Sequence, residues 1–531
     1  WRRPNIFCGE PRATVCITIC MNVSTPRHEA EVPLGEAALA AIDAAPAQPW
    51  WHPLRSTFAF LSIPALCLIV PWLLGERLSV QSLYVVAGLC GAALAYRALL
   101  DPEWVLAAFI LYLPFSRVYA ASVAPGINGT NVLYALVLLA WVAHAVRNER
   151  PFLSPLPFTR LVMVWGLLSV VSVITAMVTQ GSGFITGGRL PTVKAWFDQF
   201  FVFFAVLNLI RDGAAARRMA VYMMLGMLLV LASGYLEWED KRGYDRIDKA
   251  RLLGPQGQPN DFGAFIVYGM GIPGALMLCY IWRVRTWLLG VPVLYVAARV
   301  TLATFSRGAI IGVGALTAGI FLIRGRFLAA AIAATGVLVV EYFPEVLPVS
   351  MSARMNQTAA EDGELDKSSQ TRLILWDAGI NASLDNPIFG TGFRTFPYVK
   401  DQYASAPTAE SDNHNMFLFV SSQMGLPALL VFVLIFARLA YVGAQLHKGA
   451  ADGFAKAIGL GAAGMAAGVV GINVFGSRMT DIEVMAYVWI TIAVVSHLWN
   501  ETQNQVLRSS AARELAGRHA ETLMGTGKPA H

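Results

Sequence analysis

The stretch LVMVWGLLSVVSVITAMV (Leu161–Val178) contains eighteen residues and no charged side chain. Because an α-helix rises about 1.5 Å per residue, this stretch spans about 27 Å, close to the roughly 30 Å hydrocarbon core of a bilayer. Apolar windows of similar length recur along the chain. The pattern predicts an all-α, polytopic integral membrane protein with about 12–14 transmembrane helices and one long periplasmic loop carrying short helices.

The apolar windows divide the chain into five segments. They are an N-terminal tail at 1–53, membrane helices at 54–343, a loop at 344–415, further membrane helices at 416–499 and a C-terminal tail at 500–531. The clearest predicted spans are Thr57–Leu74, Val80–Leu99, Val132–Val146, Leu161–Val178, Phe197–Ile210, Met219–Leu236, Phe262–Trp282, Leu288–Thr304, Ala309–Ile323, Leu328–Phe343, Met416–Phe436, Ile458–Val474 and Val484–Trp499, and the shorter Trp104–Phe115 is predicted to be broken or interfacial.

The composition of the 531 residues agrees with a membrane protein. Only 14% of the residues are charged and 56% are hydrophobic, whereas about a quarter of an average soluble domain is charged. The net charge of +6 is scattered between apolar windows, which argues against nucleic acid as a partner. The six cysteines have no spacing typical of a zinc or redox site. Met21 is the first methionine, and we expect part of the segment before it not to be native.

Loop charge predicts an orientation in the membrane. Clusters of basic residues fall on alternate sides of successive spans, at Arg147 and Arg150, Arg211 with Arg217 and Arg218, Arg283 with Arg285, Arg324 with Arg326, and Lys448 with Lys456. By the positive-inside rule these loops are cytoplasmic, and both termini with them. We therefore expect a multi-pass membrane protein whose remaining loops are periplasmic or extracellular.

The predicted periplasmic loops nevertheless contain many arginines and lysines. They are Arg189, Lys194, Lys241, Arg242, Arg246, Lys249, Arg251, Arg307, Arg354, Arg372, Arg394 and Arg478. Positive charge kept against its topological preference favours an anionic ligand such as phosphate or pyrophosphate, for which arginine offers a bidentate fork. The alternative is pairing with acidic residues of the same loops, which fits 241–249 better than Arg307 or Arg372.

Three motifs in these loops have side chains suited to chemistry. The first is Thr304-Phe305-Ser306-Arg307-Gly308-Ala309, in which an arginine stands where one span ends and the next begins. The free N–H groups of the second helix and the charge of Arg307 are then close together, and both favour an anion. Snorkelling of Arg307 to lipid head groups is the alternative. Gly308 is expected to allow another backbone or a ligand to approach closely.

The second motif lies in the long loop, in Ser369-Gln370-Thr371-Arg372-Leu373-Ile374-Leu375-Trp376-Asp377-Ala378, which is typical of an amphipathic helix. Arg372 and Trp376 are four residues apart and share one face, so they can present a cation and an aromatic wall to a sugar phosphate. A purely structural lid helix is the alternative.

The third motif is Ser411-Asp412-Asn413-His414-Asn415-Met416, directly before an apolar helix. A histidine titrates near neutrality and can take a proton from a hydroxyl group. A histidine at a helix start is, however, often only a cap or an interface residue.

Together the motifs resemble the O-antigen ligase and O-antigen polymerase superfamily, which also contains protein O-oligosaccharyltransferases. The resemblance rests on Phe305-Ser306-Arg307-Gly308-Ala309, on Arg372 with Trp376 leading to Asn386-Pro387 and Gly390-Thr391-Gly392, on His414-Asn415 followed by Gly425, and on Gly254-Pro255 with Pro259-Asn260. It covers about residues 251–430. The N-terminal third is similar only in being a series of membrane helices.

The resemblance implies a glycosyltransferase that moves a glycan from a polyprenyl pyrophosphate carrier to an acceptor hydroxyl on a glycan, lipid or protein at the periplasmic face. It implies no metal and no cofactor, with arginines balancing the pyrophosphate charge. Arg307 and Arg372 are then assigned to the pyrophosphate and His414 to the general base. Further substrate-binding residues are expected at Arg189, Lys194, Arg251, Trp376, Arg394, Asn415 and Arg478.

Two alternatives remain. A polymerase would use the same machinery with another repeat unit as acceptor. A transporter should place ionisable residues near the membrane midplane, often in repeated, broken helices. Only Asp198, Arg299 and Glu341 fall well inside apolar windows, and Asp198 stands four residues from Lys194, with which it can pair.

Overall fold

The computed structural model describes residues 91–325 and 367–525, apart from 119–121, 125–126, 150 and 245. Within these ranges the chain is an all-α polytopic membrane protein. Ten helices, counting two consecutive ones as a single span, are long and apolar enough to cross a bilayer. The predicted spans Thr57–Leu74 and Leu328–Phe343, and most of Val80–Leu99, lie outside the described residues.

The helices follow one another with short connections. They are α1 (Gly91–Leu100), α2 (Glu103–Tyr112), α3 (Gly129–Arg147), α4 (Thr159–Gln180), α5 (Gly183–Thr186), α6 (Leu190–Leu209), α7 (Gly213–Asp240), α8 (Ile247–Ala250), α9 (Pro259–Gly269), α10 (Gly271–Cys279), α11 (Val284–Ala303), α12 (Arg307–Arg324), α13 (Lys367–Asp385), α14 (Phe396–Val399), α15 (Met416–Met424), α16 (Leu426–Gly449), α17 (Gly453–Asn473) and α18 (Ile482–Gly525). Two 3₁₀ turns, Leu113–Phe115 and Lys400–Gln402, and a small antiparallel pair of strands, β1 (Ser122–Ala124) and β2 (Ile127–Asn128), complete the described structure.

Helix starts are fixed by polar side chains that accept hydrogen bonds from the first free N–H groups. Asn128 caps α3, Asp212 caps α7 and Asp452 caps α17, each by accepting from the N–H three residues later at 2.7–2.8 Å. Such caps stabilise a helix end by about 1 kcal/mol. These side chains therefore set where each span begins.

Helix α17 lies at the centre of the bundle, and small residues let its neighbours approach closely. A Cβ added to Gly271 on α10 would lie 2.6 Å from the carbonyl oxygen of Gly461, and one added to Gly443 on α16 would lie 2.6 Å from that of Gly459. Inside a bilayer, close packing of this kind replaces the hydrophobic effect as the force between helices. The glycines of α17 therefore decide which helices surround it.

Several predicted spans have different bounds in the structure, and the largest difference concerns the span before α17. The apolar window Met416–Phe436 is interrupted at Gly425, whose φ of +89° ends α15 and precedes α16. The break is held by the loop after α13, because Leu426 N–H donates to the carbonyl oxygen of Pro387 at 2.8 Å. The span is consequently α16, which places Arg438 in its middle. At the chain end, α18 continues beyond the predicted Trp499 to Gly525.

Charged residues gather at the two opposite ends of the bundle. Arg307 begins α12 and Arg324 ends it, so the two lie about 27 Å apart along the helix. The end that contains Arg324 is here called the Asp452 end, and the other the Arg307 end. At the Asp452 end, Arg217 pairs with Asp452 at 2.6 Å and with Glu501 at 2.9 Å. Burial alone would raise the pKa of the Asp452 carboxyl, but hydrogen bonds from Arg217 and from the N–H of Ala455 hold it below its usual value.

Candidate active site

A pocket at the Arg307 end is lined by four arginines from four separate parts of the chain. Arg251 comes from the loop after α8, Arg307 from the start of α12, Arg372 from α13 and Arg478 from the loop between α17 and α18. The pocket is small, with a cavity volume of about 60 Å³. Its other walls are Asn260, Phe305, Ser306, Gly308, Ile472 and Phe475, so no carboxylate is among the described lining residues. The pocket is therefore suited to an anion.

The start of α12 is built to face this pocket. Ser306 is the N-cap and its Oγ accepts from the N–H of Ala309 at 3.3 Å, which leaves the positive end of the helix dipole beside Arg307. Phe305, just before the cap, has a φ of +50°, a conformation that side chains other than glycine rarely adopt. Strained residues of this kind concentrate at functional sites.

The sequence predicted that Gly308 lets either another backbone or a ligand approach closely. In the structure no other described part of the protein packs tightly against it. A Cβ at this position would lie 3.7 Å from its nearest neighbour, the Cβ of Phe475, which is an ordinary contact. The tight position is Gly263 on α9, where a Cβ would approach the Cβ of Ala309 to 2.6 Å. Gly308 instead forms part of the pocket wall without a tight contact to the protein.

Two of the arginines are fixed by hydrogen bonds to neighbouring loops. Arg251 donates from Nε to the carbonyl oxygen of Thr304 at 3.0 Å and from Nη2 to Asn260 Oδ1 at 3.2 Å. Arg478 donates from Nη1 to Asp261 Oδ1 at 2.8 Å, and both side chains of this pair are largely buried. Their guanidinium groups therefore reach the pocket in a fixed orientation.

Two of the expected ion pairs of the 241–249 loop are present, Lys241 with Glu237 and the exposed Arg242 with Glu239. The first of them also contacts the loop of Arg251. Lys241 Nζ lies 2.7 Å from Glu237 Oε1 and donates to the carbonyl oxygen of Arg251 at 2.8 Å. Glu237 in turn accepts from the N–H groups of Leu253 and Gly254. This pair therefore has a structural role, holding the loop on which Arg251 stands.

Arg372 and Trp376 lie on α13 as the helical spacing predicts. Arg372 lines the pocket, and the Trp376 ring centroid lies 6.0 Å from that of Phe475, which also lines it. The indole Nε1 of Trp376 is buried and has no hydrogen-bond partner within the described part of the chain. A buried donor without a hydrogen-bond partner destabilises the fold, and a ligand that accepts a hydrogen bond from this N–H would offset that cost.

His414 stands beside the pocket and not in its wall. Its φ is +52°, and its side chain is about one quarter exposed. Nδ1 lies 3.5 Å from Asp412 Oδ2 and Nε2 lies 3.8 Å from Glu410 Oε2. Asn413 is fully buried and packs against Gly379 of α13. A Cβ added to Gly379 would lie 2.9 Å from the Nδ2 atom of Asn413. The strained turn is therefore anchored next to the helix that carries Arg372.

The remaining predicted site residues have other positions. Asn415 caps α15, accepting at Oδ1 from the N–H groups of Phe417 at 2.9 Å and Leu418 at 3.2 Å. Arg189 donates to the Phe184 carbonyl oxygen and to the Tyr398 hydroxyl. Neither residue lines the four-arginine pocket.

Lys194 and Arg394 also lie outside the pocket wall. Lys194 Nζ pairs with Asp198 Oδ2 at 2.8 Å, as the spacing of four residues predicts. Arg394, with a φ of +59°, places its guanidinium 5.3 Å from the ring centroid of Phe419. A binding role for these two residues stays a prediction.

Sequence reasoning missed several residues of the site. Phe475 and Ile472 line the pocket, and Asp261 fixes Arg478, but apolar residues near a helix end and a single aspartate carry no recognisable signal. Asp412 stands in a quoted motif without an assigned role, because its approach to His414 depends on the turn. The described residues contain no group of three or more His, Cys, Asp or Glu side chains that could hold a metal ion.

Comparison with known proteins agrees with the motifs. A family model described as O-Antigen ligase matches residues 292–433, the part that contains Arg307, Arg372, Trp376 and His414. Arg251 and Arg478 lie outside the matched residues. No curated protein shows significant similarity to the chain. The matched domain, together with the ten apolar spans of the described residues, supports membership of the chain in the O-antigen ligase superfamily of membrane proteins.

Proposed function

We propose that the chain is a glycosyltransferase that transfers a glycan from a polyprenyl pyrophosphate carrier to an acceptor hydroxyl at the periplasmic face of the bacterial cytoplasmic membrane. The observation that carries the proposal is the convergence of Arg251, Arg307, Arg372 and Arg478 on one pocket at an end of the membrane spans. A lipid-linked pyrophosphate has to bind near the end of the membrane spans. The lipid chain stays in the bilayer, whereas the glycan on the other side of the pyrophosphate stays in water.

The arginines supply the electrostatic part of the mechanism. The acceptor oxygen attacks the anomeric carbon of the donor, the bond from that carbon to the pyrophosphate oxygen breaks, and the electron pair leaves with the pyrophosphate. Guanidinium groups and the helix N-terminus beside Arg307 stabilise the negative charge that develops on the leaving group. Because Arg251 and Arg478 are already held by Thr304 and Asp261, little reorganisation is required during the reaction.

His414 receives the proton of the acceptor hydroxyl. Carboxylates stand near both ring nitrogens, Asp412 at 3.5 Å from Nδ1 and the more exposed Glu410 at 3.8 Å from Nε2. Asp412 is the nearer and favours the tautomer with the proton on Nδ1, so that Nε2 accepts the proton of the hydroxyl. An aspartate in this place also stabilises the imidazolium that forms, as in other acid–base pairs of histidine and carboxylate. Asp412 is thus a positioning residue that acts through His414.

The alternatives differ in the product. A ligase attaches one preassembled glycan to each lipid or protein acceptor. A polymerase extends one glycan repeat by repeat, and a transporter moves its substrate with no bond broken. Two of the three ionisable residues predicted inside apolar windows have local contacts, which disfavours a transporter. Asp198 pairs with Lys194, and the Arg299 guanidinium lies 4.8 Å from the ring centroid of Trp238.

The test is transfer by the purified protein in lipid vesicles supplied with a polyprenyl-pyrophosphate-linked glycan and a labelled acceptor. A single shifted product supports the ligase, and a ladder of products supports the polymerase. Recovery of intact donor and acceptor would contradict the transferase proposal.

A further inference from the structure

A second cationic pocket lies at the Asp452 end of the bundle, far from the four-arginine pocket. It has a cavity volume of about 560 Å³ and lies between the 151–158 loop, the start of α4, α16 and α18. Two arginines, Arg160 and Arg438, contribute to its wall, as do Trp499, Asn500 and Gln503. Leucines, prolines, a methionine and Thr159 provide the rest. The pocket thus combines two positive charges with amides, an indole and an apolar surface.

Arg438 occupies an unusual position for a charged residue. It stands in the middle of α16, a membrane span, and its side chain is exposed. A charge on the lipid-facing side of a span is costly unless the side chain extends to the interface or meets a partner. The guanidinium extends towards the Asp452 end, where its Cζ lies 5.6 Å from the ring centroid of Phe158, the residue that precedes α4.

Arg160 stands in the first turn of α4, close to the same Phe158. It too is exposed, and neither Arg160 nor Arg438 has an acidic partner among the residues that the structure describes. The first turn of a helix is also a poor place for a cation, because the helix dipole repels it there. Two like charges in one pocket wall, one of them at a helix N-terminus, favour a bound anion.

The apolar part of the wall decides which kind of anion fits. Leu161 and Met163 follow Arg160 along α4, and Trp499 stands beside Asn500 in the pocket wall. Acyl chains require such an apolar surface below the charges, whereas inorganic phosphate does not. Tryptophan is enriched where lipid head groups meet hydrocarbon.

We propose that this pocket binds an anionic phospholipid, with its phosphate between Arg160 and Arg438 and its acyl chains along α4. Basic pockets between membrane helices are known to hold anionic lipid head groups by this combination of contacts. The site is independent of glycan transfer, because it lies at the opposite end of the spans. It would retain the lipid at the junction of α4, α16 and α18.

The test uses the full-length protein in detergent micelles supplied with cardiolipin, phosphatidylglycerol, phosphatidylcholine or inorganic phosphate, and measures bound lipid by native mass spectrometry. The variants are Arg160→Gln, Arg438→Gln and the double variant. Arg283→Gln is the matched control, since Arg283 is exposed at the same end and stacks on Tyr280 at 5.0 Å outside the pocket.

We expect the anionic lipids to bind more tightly than phosphatidylcholine, and each variant to weaken them about fivefold, the effect of about 1 kcal/mol per basic residue. The control should bind like the unchanged protein. Equal retention of anionic lipid by the double variant would overturn the proposal, as would equal weakening by Arg283→Gln. Displacement of the lipid by millimolar inorganic phosphate would assign the pocket to free phosphate and also overturn it. A thermal-melting comparison in micelles without added lipid verifies that each variant is folded.

Discussion

Ser477 donates a hydrogen bond of 3.1 Å from Oγ to Asp412 Oδ1, while the other carboxylate oxygen of Asp412 lies 3.5 Å from His414 Nδ1. Ser477 precedes Arg478, whose guanidinium lines the four-arginine pocket. One carboxylate therefore joins the loop of the proposed base to the loop of a proposed pyrophosphate ligand. Their relative position does not depend on bound substrate.

The first prediction concerns the proton acceptor. His414→Ala is expected to lower turnover about 10²–10⁴-fold while donor binding persists, since donor binding depends on the arginines. Accumulation of the protein in membranes and binding of a labelled donor are measured beside transfer. Near-normal transfer, or loss that follows only from loss of the protein, would require His414 to be a helix-start residue without a chemical role.

The second prediction concerns Asp412. Asp412→Asn removes the negative charge that lies 3.5 Å from His414 Nδ1, and it should lower kcat about tenfold with little change in donor KM. Asp412→Glu should recover part of the loss. The matched control is Asp401→Asn, because Asp401 is an exposed aspartate of the same loop region whose side chain pairs with Lys400. In the His414→Ala background the Asp412→Asn change should have no further effect, and an additive loss would contradict action through His414.

The third prediction separates charge from geometry in the four-arginine pocket. Arg307→Ala and Arg372→Ala should weaken donor binding as well as turnover, and lysine should rescue only in part because it lacks the planar fork. Arg242→Lys is the control, since Arg242 lies at the same end in an exposed pair with Glu239 at 3.3 Å. Full activity of both lysine variants would show that bidentate contact is not required.

The fourth prediction uses two glycines that differ in their surroundings. Gly308→Ala adds a methyl group to the pocket wall with no neighbour closer than 3.7 Å, so folding should be unaffected and donor KM should rise severalfold. Gly263→Ala instead meets Ala309 at 2.6 Å and should destabilise the protein by about 1–3 kcal/mol. Thermal melting and transfer kinetics are measured on both. An unchanged KM for Gly308→Ala would mean that the donor does not reach this part of the pocket.

The fifth prediction concerns orientation in the membrane. In a cysteine-free background, Glu410→Cys should react with an impermeant thiol reagent added to intact cells, and Arg324→Cys should react only after the membrane is opened. Both positions are exposed, and they belong to opposite ends of the spans. The reverse pattern would place the four-arginine pocket in the cytoplasm and contradict the proposed topology.

Much of the fold follows from local properties of the sequence. The window Leu161–Val178 becomes α4 (Thr159–Gln180) nearly residue for residue, because length and apolar content suffice to make a helix in a bilayer. Local spacing likewise predicts the pair of Lys194 and Asp198, and the common helix of Arg372 and Trp376. Distances of three or four residues along a helix need no knowledge of the rest of the chain.

Only the tertiary structure decided which of the predicted residues meet. One pocket is lined by Arg251, Arg307, Arg372 and Arg478, but not by Arg189. The charge pattern of the loops gives all five the same expectation of binding an anionic ligand. The sequence by itself determined that the chain crosses a membrane and that arginines accumulate in alternate loops. Which loops come together depends on how the helices pack, and that depends on close contacts such as Gly271 against Gly461 between segments distant in the chain. Apolar windows and charge counts are properties of single segments, so they contain no information about these contacts between segments.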